Sequence, residues 1–238
     1  MRSVIDRVYH LVPAGVKIKM KIVIYRDYAS GPQLVESSPL SEDPELLCGY
    51  LSHVETSGGE GNGAEAVEAG LEEALRDPAS RPHLIFVAGD EQAHEAEDFL
   101  YQWKDNRYPQ GDRTITPGPD DIVRVESDPY CRRTAEQIAQ QCAELSIPIH
   151  TLVVGHDKKC IRSFKQIAKL SGGTSGMLDG SDAMRDMMCM AILANLASAS
   201  VGAEELIQRY LTKYGGSDGR ALSPEAKVFG RNLLAGRK

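Results

Sequence analysis

The sequence predicts an α/β fold: a doubly wound, mostly parallel sheet of Rossmann-like type, followed by a C-terminal helical tail. Three observations carry this. Residues 83–88 and 147–154 are short, mostly apolar runs, as expected for strands buried on both faces. Helical periodicities alternate with these runs along the chain. Glycine and proline mark most of the junctions between them.

In chain order, residues 2–12 place Val4, Ile5, Val8, Leu11 and Val12 at helical spacing, ended by Pro13 and Gly15. Residues 16–26 alternate through Ile18, Met20, Ile22 and Ile24 and read as a strand. A second short strand is expected around residues 34–36. Asp43-Pro44 is a capping carboxylate followed by proline at the first helical position, so a helix is expected from there to about Val54. After the glycine-rich loop 56–63, helix is expected over 64–76, strand over 83–88 and helix over 91–104. Residues 105–130, with four prolines among many charges, read as a long loop. Helix over 131–145, strand over 147–154, helix over 161–171, strand over 174–178 and helix over 182–200 complete an α/β domain spanning residues 1–200. Residues 201–238 form a helical extension: an amphipathic helix over 203–214, a hinge over 215–219 and a last helix capped by Ser223.

Composition narrows the function classes. The 238 residues carry a formal net charge of -7, which opposes a duplex nucleic acid partner. The basic cluster Lys158, Lys159, Arg162 and Lys165 reads as a solvated helix face. Five scattered cysteines without CxxC spacing oppose a disulfide scaffold or a zinc site and favour a reducing, cytoplasmic setting. No apolar run is long enough to span a membrane, and residues 1–30 contain no secretory apolar region.

Ligands of open α/β sheets bind at the carboxyl ends of the strands. Asp27, Asp90 and Asp157 fall at or just past three such ends, and hard carboxylate oxygens suit Mg²⁺ or Ca²⁺. Asp90 and His94 lie four apart at an expected helix start, where such a pair can share a metal or a substrate, or act as a cap with a histidine on the next turn. The loop from Gly58 to Gly63 offers backbone N–H groups to an anion, but it follows an expected helix rather than a strand, which favours a simple turn. No nucleophile elbow or HExxH motif occurs.

Five segments in order resemble the von Willebrand factor A family. Lys21-Ile-Val-Ile-Tyr-Arg-Asp27 is similar to its second strand. Ser57-Gly-Gly-Glu60 with Gly63-Ala-Glu-Ala-Val-Glu-Ala-Gly-Leu71 resembles its glycine loop and following helix. Leu84 to His94 is similar to the fourth strand and its Gly-Asp ending, Ile147 to Gly155 to the fifth, and Phe164 to Gly173 to the last helix and its turn. The resemblance implies a protein-binding module with a Mg²⁺-dependent adhesion site. The first strand and its Asp-x-Ser-x-Ser motif have no counterpart here, so the site implied is incomplete. Thr56 or Glu60 would stand for its second element and Asp90 for its third, with Asp27, Gly58, Gly59 and His94 around them. Three arrangements fit the missing strand: a start upstream of Met1, a sheet that closes without it, or a partner segment that inserts. The competing function is a metal-assisted hydrolase or nucleotide-binding enzyme using Asp27, Asp90 and His94.

Overall fold

The structure, a computed structural model, describes residues 17–27, 30, 33–55, 64–94, 133–178, 181–198, 207, 208, 210–212 and 222–235. The expected helix over 2–12, the loops 56–63 and 105–130, residues 95–104 of the expected helix over 91–104, Cys131 and the hinge 215–219 lie outside these residues.

The described elements are β1 (Val23–Tyr25), β2 (Val35–Ser37), α1 (Pro44–Ser52), β3 (Ala64–Glu65), α2 (Val67–Leu75), β4 (Ile85–Gly89), β5 (Gln92–Ala93), α3 (Ala135–Glu144), β6 (Ile149–Val154), α4 (Lys158–Ser171), β7 (Ser175–Leu178), α5 (Ser181–Ser198) and α6 (Pro224–Ala235). Strands β4, β6 and β7 form a parallel ladder in that spatial order. β1 pairs antiparallel with β2, and β3 pairs parallel with β5. This is the expected α/β class with parallel pairing.

β6 organises the core. Ile149 and Val153 face one apolar cluster with α2, α3 and α4, through Leu71, Ile138, Phe164 and Ile167. Leu152 faces a second cluster with α5 and α6, through Met187, Met190 and Phe229. Alternation of side chains across a strand thus puts a separate core on each face. β4 repeats the pattern: Ile85 and Val87 join the first cluster, Leu84 and Phe86 the second. The tail helix α6 belongs to the second core, and Tyr210 reaches into it and donates to Asp186 Oδ1 at 2.7 Å. His150 lies between Phe86 and Phe229, and its Nδ1 accepts the Thr174 N–H at 3.1 Å.

Local chemistry sets the helix ends. Asp43 caps α1 through the Glu45 N–H. Thr134 and Gln137 form a capping box that starts α3 at Ala135, later than the expected residue 131. Asp157 accepts the N–H groups of Lys159 and Cys160, which starts α4 at Lys158 rather than at 161. Lys158, Lys159, Arg162 and Lys165 are exposed on α4, opposite its buried Phe164.

Three expectations need correction. The strand expected over 16–26 is a ladder only over β1, with a single bridge from Met20 to Ser41, because the Ile22 N–H is taken by the Ser38 hydroxyl. Residues 64 and 65 are strand, not the start of a helix, since they pair with β5. For the same reason Gln92 and Ala93 are not helical. Among the described residues no helix is long and apolar enough to cross a membrane.

α4 is fastened to β6 at its end. The Ser171 hydroxyl accepts the Ile149 N–H at 2.9 Å, and Thr151 donates to Phe164 O at 2.9 Å. Gly172 closes the helix in the left-handed region, φ 76°, and Gly173 then passes so close to β6 that an added Cβ would overlap Ile149 O. Gly173→Ala is therefore expected to cost about 3 kcal/mol or more, a backbone clash with no flexible neighbour to yield. Gly49→Ala, where a Cβ would meet nothing within 4 Å, is expected to be neutral or to stabilise α1 by up to ~1 kcal/mol. Urea unfolding of the two variants checks the contrast; equal effects would contradict it.

Candidate functional site

The carboxyl ends of β1, β3 and β4 come together at one rim of the sheet. Two short-range contacts draw them in. Ala66 donates to Arg26 O at 3.2 Å, which ties the start of α2 to the end of β1. The pairing of β3 with β5 sets Glu65 opposite Ala93, just past the end of β4. Parallel pairing of two residues gains little by itself, so the rim depends on the packing of α2 beneath it, where Ala66, Val67 and Ala69 are buried.

Arg26 anchors the β1 end. Its guanidinium is buried and donates to Gln33 O at 2.7 Å and Glu55 O at 3.0 Å, and it pairs with Glu36 at 2.5 Å. A planar fork with several donors satisfies these spread acceptors, which a lysine would not. Asp27, the next residue, turns inward. Its Oδ1 lies 3.5 Å from His94 Nε2, and both side chains are enclosed. His94 thus belongs with Asp27, not with Asp90 on one turn of a helix; residues 92 and 93 between them are strand, which points His94 into the interior. Asp90 itself is exposed at the end of β4.

The electrostatics show that these groups act on one another. Glu65 is pushed up from 4.5 to about 7, first by burial, then by Asp27, Asp90 and Glu91, with Arg26 opposing. The Tyr25 phenol is pushed far up, first by burial and then by Glu65, Cys160, Asp90 and Glu68. Its hydroxyl donates to Ala88 O at 2.9 Å. Gly89 permits this approach, since a Cβ there would lie 2.6 Å from the Tyr25 hydroxyl. The Cys160 thiol is pushed up to about 12, by burial and then by Asp157, Asp90 and Glu91, which removes it as a nucleophile near neutral pH.

The sequence-derived candidates divide accordingly. Asp27, Asp90 and His94 are brought to the same rim, with Asp27 and His94 inside and Asp90 outside. Asp157 is not a rim ligand: its carboxylate is committed to the first turn of α4, and those N–H groups hold it below the usual carboxylate range. Thr56, Gly58, Gly59 and Glu60 lie outside the described residues. Glu65 and Glu91 were not singled out from the sequence. Glu65 sits in a stretch with helical periodicity, and only the distant partner β5 turns it to the rim; no local signal could have found it. Among the described residues no three His, Cys, Asp or Glu side chains converge on one metal position.

No family model matches the sequence, and no curated protein matches it. Among solved structures, the crystal structure of a conserved hypothetical protein, BatB, from Bacteroides thetaiotaomicron is similar, with a TM-score of 0.48 and 13% identity over 82% of this chain and 86% of that one.

The raised Glu65 carboxyl makes stability depend on pH. The folded chain holds this proton more tightly than the unfolded chain does, so the contribution is fully present below the unfolded value of 4.5 and is lost as pH rises through about 7. Glu65→Gln is neutral at every pH. After allowance for solvent screening, it is expected to stabilise the chain by about 1 kcal/mol at roughly pH 8 and to have little effect at roughly pH 4.5. Urea unfolding at the two pH values reads this; a pH-independent effect would contradict it.

Proposed function

We propose that the chain is a protein-binding module of the von Willebrand factor A type, engaging its partner at the carboxyl ends of the strands with help from a Mg²⁺-class cation. The observation that carries this reading is the gathering of Asp27, Glu65, Asp90 and Glu91 from three strand ends, close enough to add to the burial that pushes Glu65 up to about 7. These neighbours disfavour the ionised form of Glu65, and a hard divalent cation relieves that repulsion. Asp90 is the exposed member and the natural first ligand, with Thr56 or Glu60 of the glycine loop as its companion under the family resemblance. The cation keeps water or a partner's carboxylate in its remaining positions, because Mg²⁺ is seldom held by an all-protein cage. The ordered five-segment resemblance supports the same reading.

The alternative, a metal-assisted hydrolase or nucleotide-binding enzyme using Asp27, Asp90 and His94, has less behind it. His94 is enclosed against Asp27, and the thiol of Cys160 is far from its reactive form.

Thermal unfolding during a MgCl₂ titration tests the proposal. Mg²⁺ is expected to stabilise the wild-type chain, by about 2.7 kcal/mol at a hundredfold excess over Kd, and Asp90→Asn is expected to lose most of that gain while keeping its cation-free stability. A flat titration, or an Asp90→Asn response equal to wild type, would overturn the cation part of the reading.

A further inference from the structure

We propose that the exposed face of α4 is a docking surface for an acidic helix of a partner protein, whose carboxylates are read by the row Lys158, Arg162, Lys165 and Lys169. Between Lys158 and Ser171 the helix carries Lys158, Lys159, Arg162, Lys165 and Lys169 and no carboxylate, in a chain whose formal net charge is -7. Steps of four, three and four residues line up Lys158, Arg162, Lys165 and Lys169 along one side of the helix. At 1.5 Å per residue the row is roughly 16 Å long. All of these cations are exposed, and none is in an ion pair with a described residue. By contrast, Lys17, Lys19, Lys21, Arg26, Arg76 and Arg133 each meet a carboxylate.

Folding gains nothing from this row. Lys158 and Lys159 stand in the first turn, where the positive end of the helix dipole opposes cations. Their nearest carboxylate, Asp157, already accepts the N–H groups of Lys159 and Cys160. Lys158 with Arg162, and Lys165 with Lys169, are like charges four residues apart, which destabilise a helix. Only Lys169, in the last turn, sits where the dipole favours it. α4 holds its shape through its other face, where Cys160, Phe164, Ile167 and Ala168 are buried and Ser171 and Thr151 fasten it to β6. A face that only met water would do better with acids interspersed. Local rules broken on a rigid, exposed element are the mark of a binding surface.

The chemistry of the face selects the partner. Ile161 and Leu170 turn into the first core at its two margins, so the face presents only Lys158, Lys159, Arg162, Lys165, Gln166 and Lys169. It offers a bilayer no apolar side chain to insert and a nucleic acid no ring to stack on. It is also short. At its amino end Asp90 and Glu91 lie near enough to act on Cys160, so a bilayer or a polynucleotide continuing past α4 would meet their negative charge. A helix with carboxylates at the same steps of four, three and four ends where the row ends.

The probe is a fluorescently labelled, alanine-based helical peptide with glutamates at the spacing of Lys158, Arg162, Lys165 and Lys169. Its binding to the full chain is followed by anisotropy at low salt in EDTA, so a failure here leaves the cation at the strand-end rim untouched. The combined variant Lys158→Gln, Arg162→Gln, Lys165→Gln and Lys169→Gln is expected to bind about tenfold more weakly, the sum of several exposed ion pairs. A peptide of equal composition with its glutamates in consecutive positions is expected to bind the wild-type chain at least about threefold more weakly. The urea midpoint of the variant is expected to equal or exceed that of the wild type, since like charges are removed. Equal binding by the variant, or by the consecutive-glutamate peptide, would overturn the proposal. So would a lower urea midpoint, which would make the row part of the fold, or tighter binding of phosphatidylserine vesicles or oligothymidylate than of the spaced peptide.

Discussion

The burial of β6 on both faces is the constraint from which the rest of the structure follows. A strand with a core on each side must satisfy every backbone group by pairing, because no water reaches it. It does so with β4 on one edge and β7 on the other. The end of α4 supplies the remaining contacts: Ser171 on the first amide of β6, Thr151 on a carbonyl inside α4, and Gly173 pressed against Ile149. Helices α2, α3 and α4 then have one face to cover, and α5 and α6 the other. The tail helix is thereby part of the fold's second core.

This arrangement sets where polar chemistry can collect. Asp27, Asp90 and Asp157 come shortly after the ends of β1, β4 and β6. Where the chain needs a helix cap, as at Asp157, the carboxylate is consumed by backbone donors and its proton affinity falls. Where no cap is needed, burial and then the neighbouring carboxylates Asp27, Asp90 and Glu91 make Glu65 hold its proton to about 7. Burial first, and the same field after it, favours the neutral forms of Tyr25 and Cys160. One rim thus has two characters: an enclosed Asp27–His94 pair and an outer set centred on Asp90.

Much of the fold was legible because its decisive elements carry local signals. Residues 147–154 are apolar apart from His150 and Thr151, and α4 repeats buried positions at Cys160, Phe164, Ile167, Ala168 and Ser171. Asp43-Pro44 and Ser223-Pro224 announced helix starts that the structure has. The failures have one cause, which is pairing between distant segments. Nothing near Ala64 says that it will pair with Gln92, so both segments were read as helix. The alternation of residues 16–26 promised a longer strand than its short partner β2 can support. The site follows the same rule: Asp27, Asp90 and His94 can be found because they follow apolar runs, while Glu65 is placed by that unsignalled pair, and Asp157 looks like a rim group in the sequence but caps α4.

The central claim is that separate strand ends bring their carboxylates into one interacting set. The side-chain pKa of Glu65, followed by carboxyl-carbon NMR in the absence of divalent cations, tests it most directly. A midpoint near 7, falling when Asp90 is replaced by asparagine, is the predicted result. A midpoint at the ordinary value of 4.5, unmoved by that substitution, would mean that the strand ends do not meet.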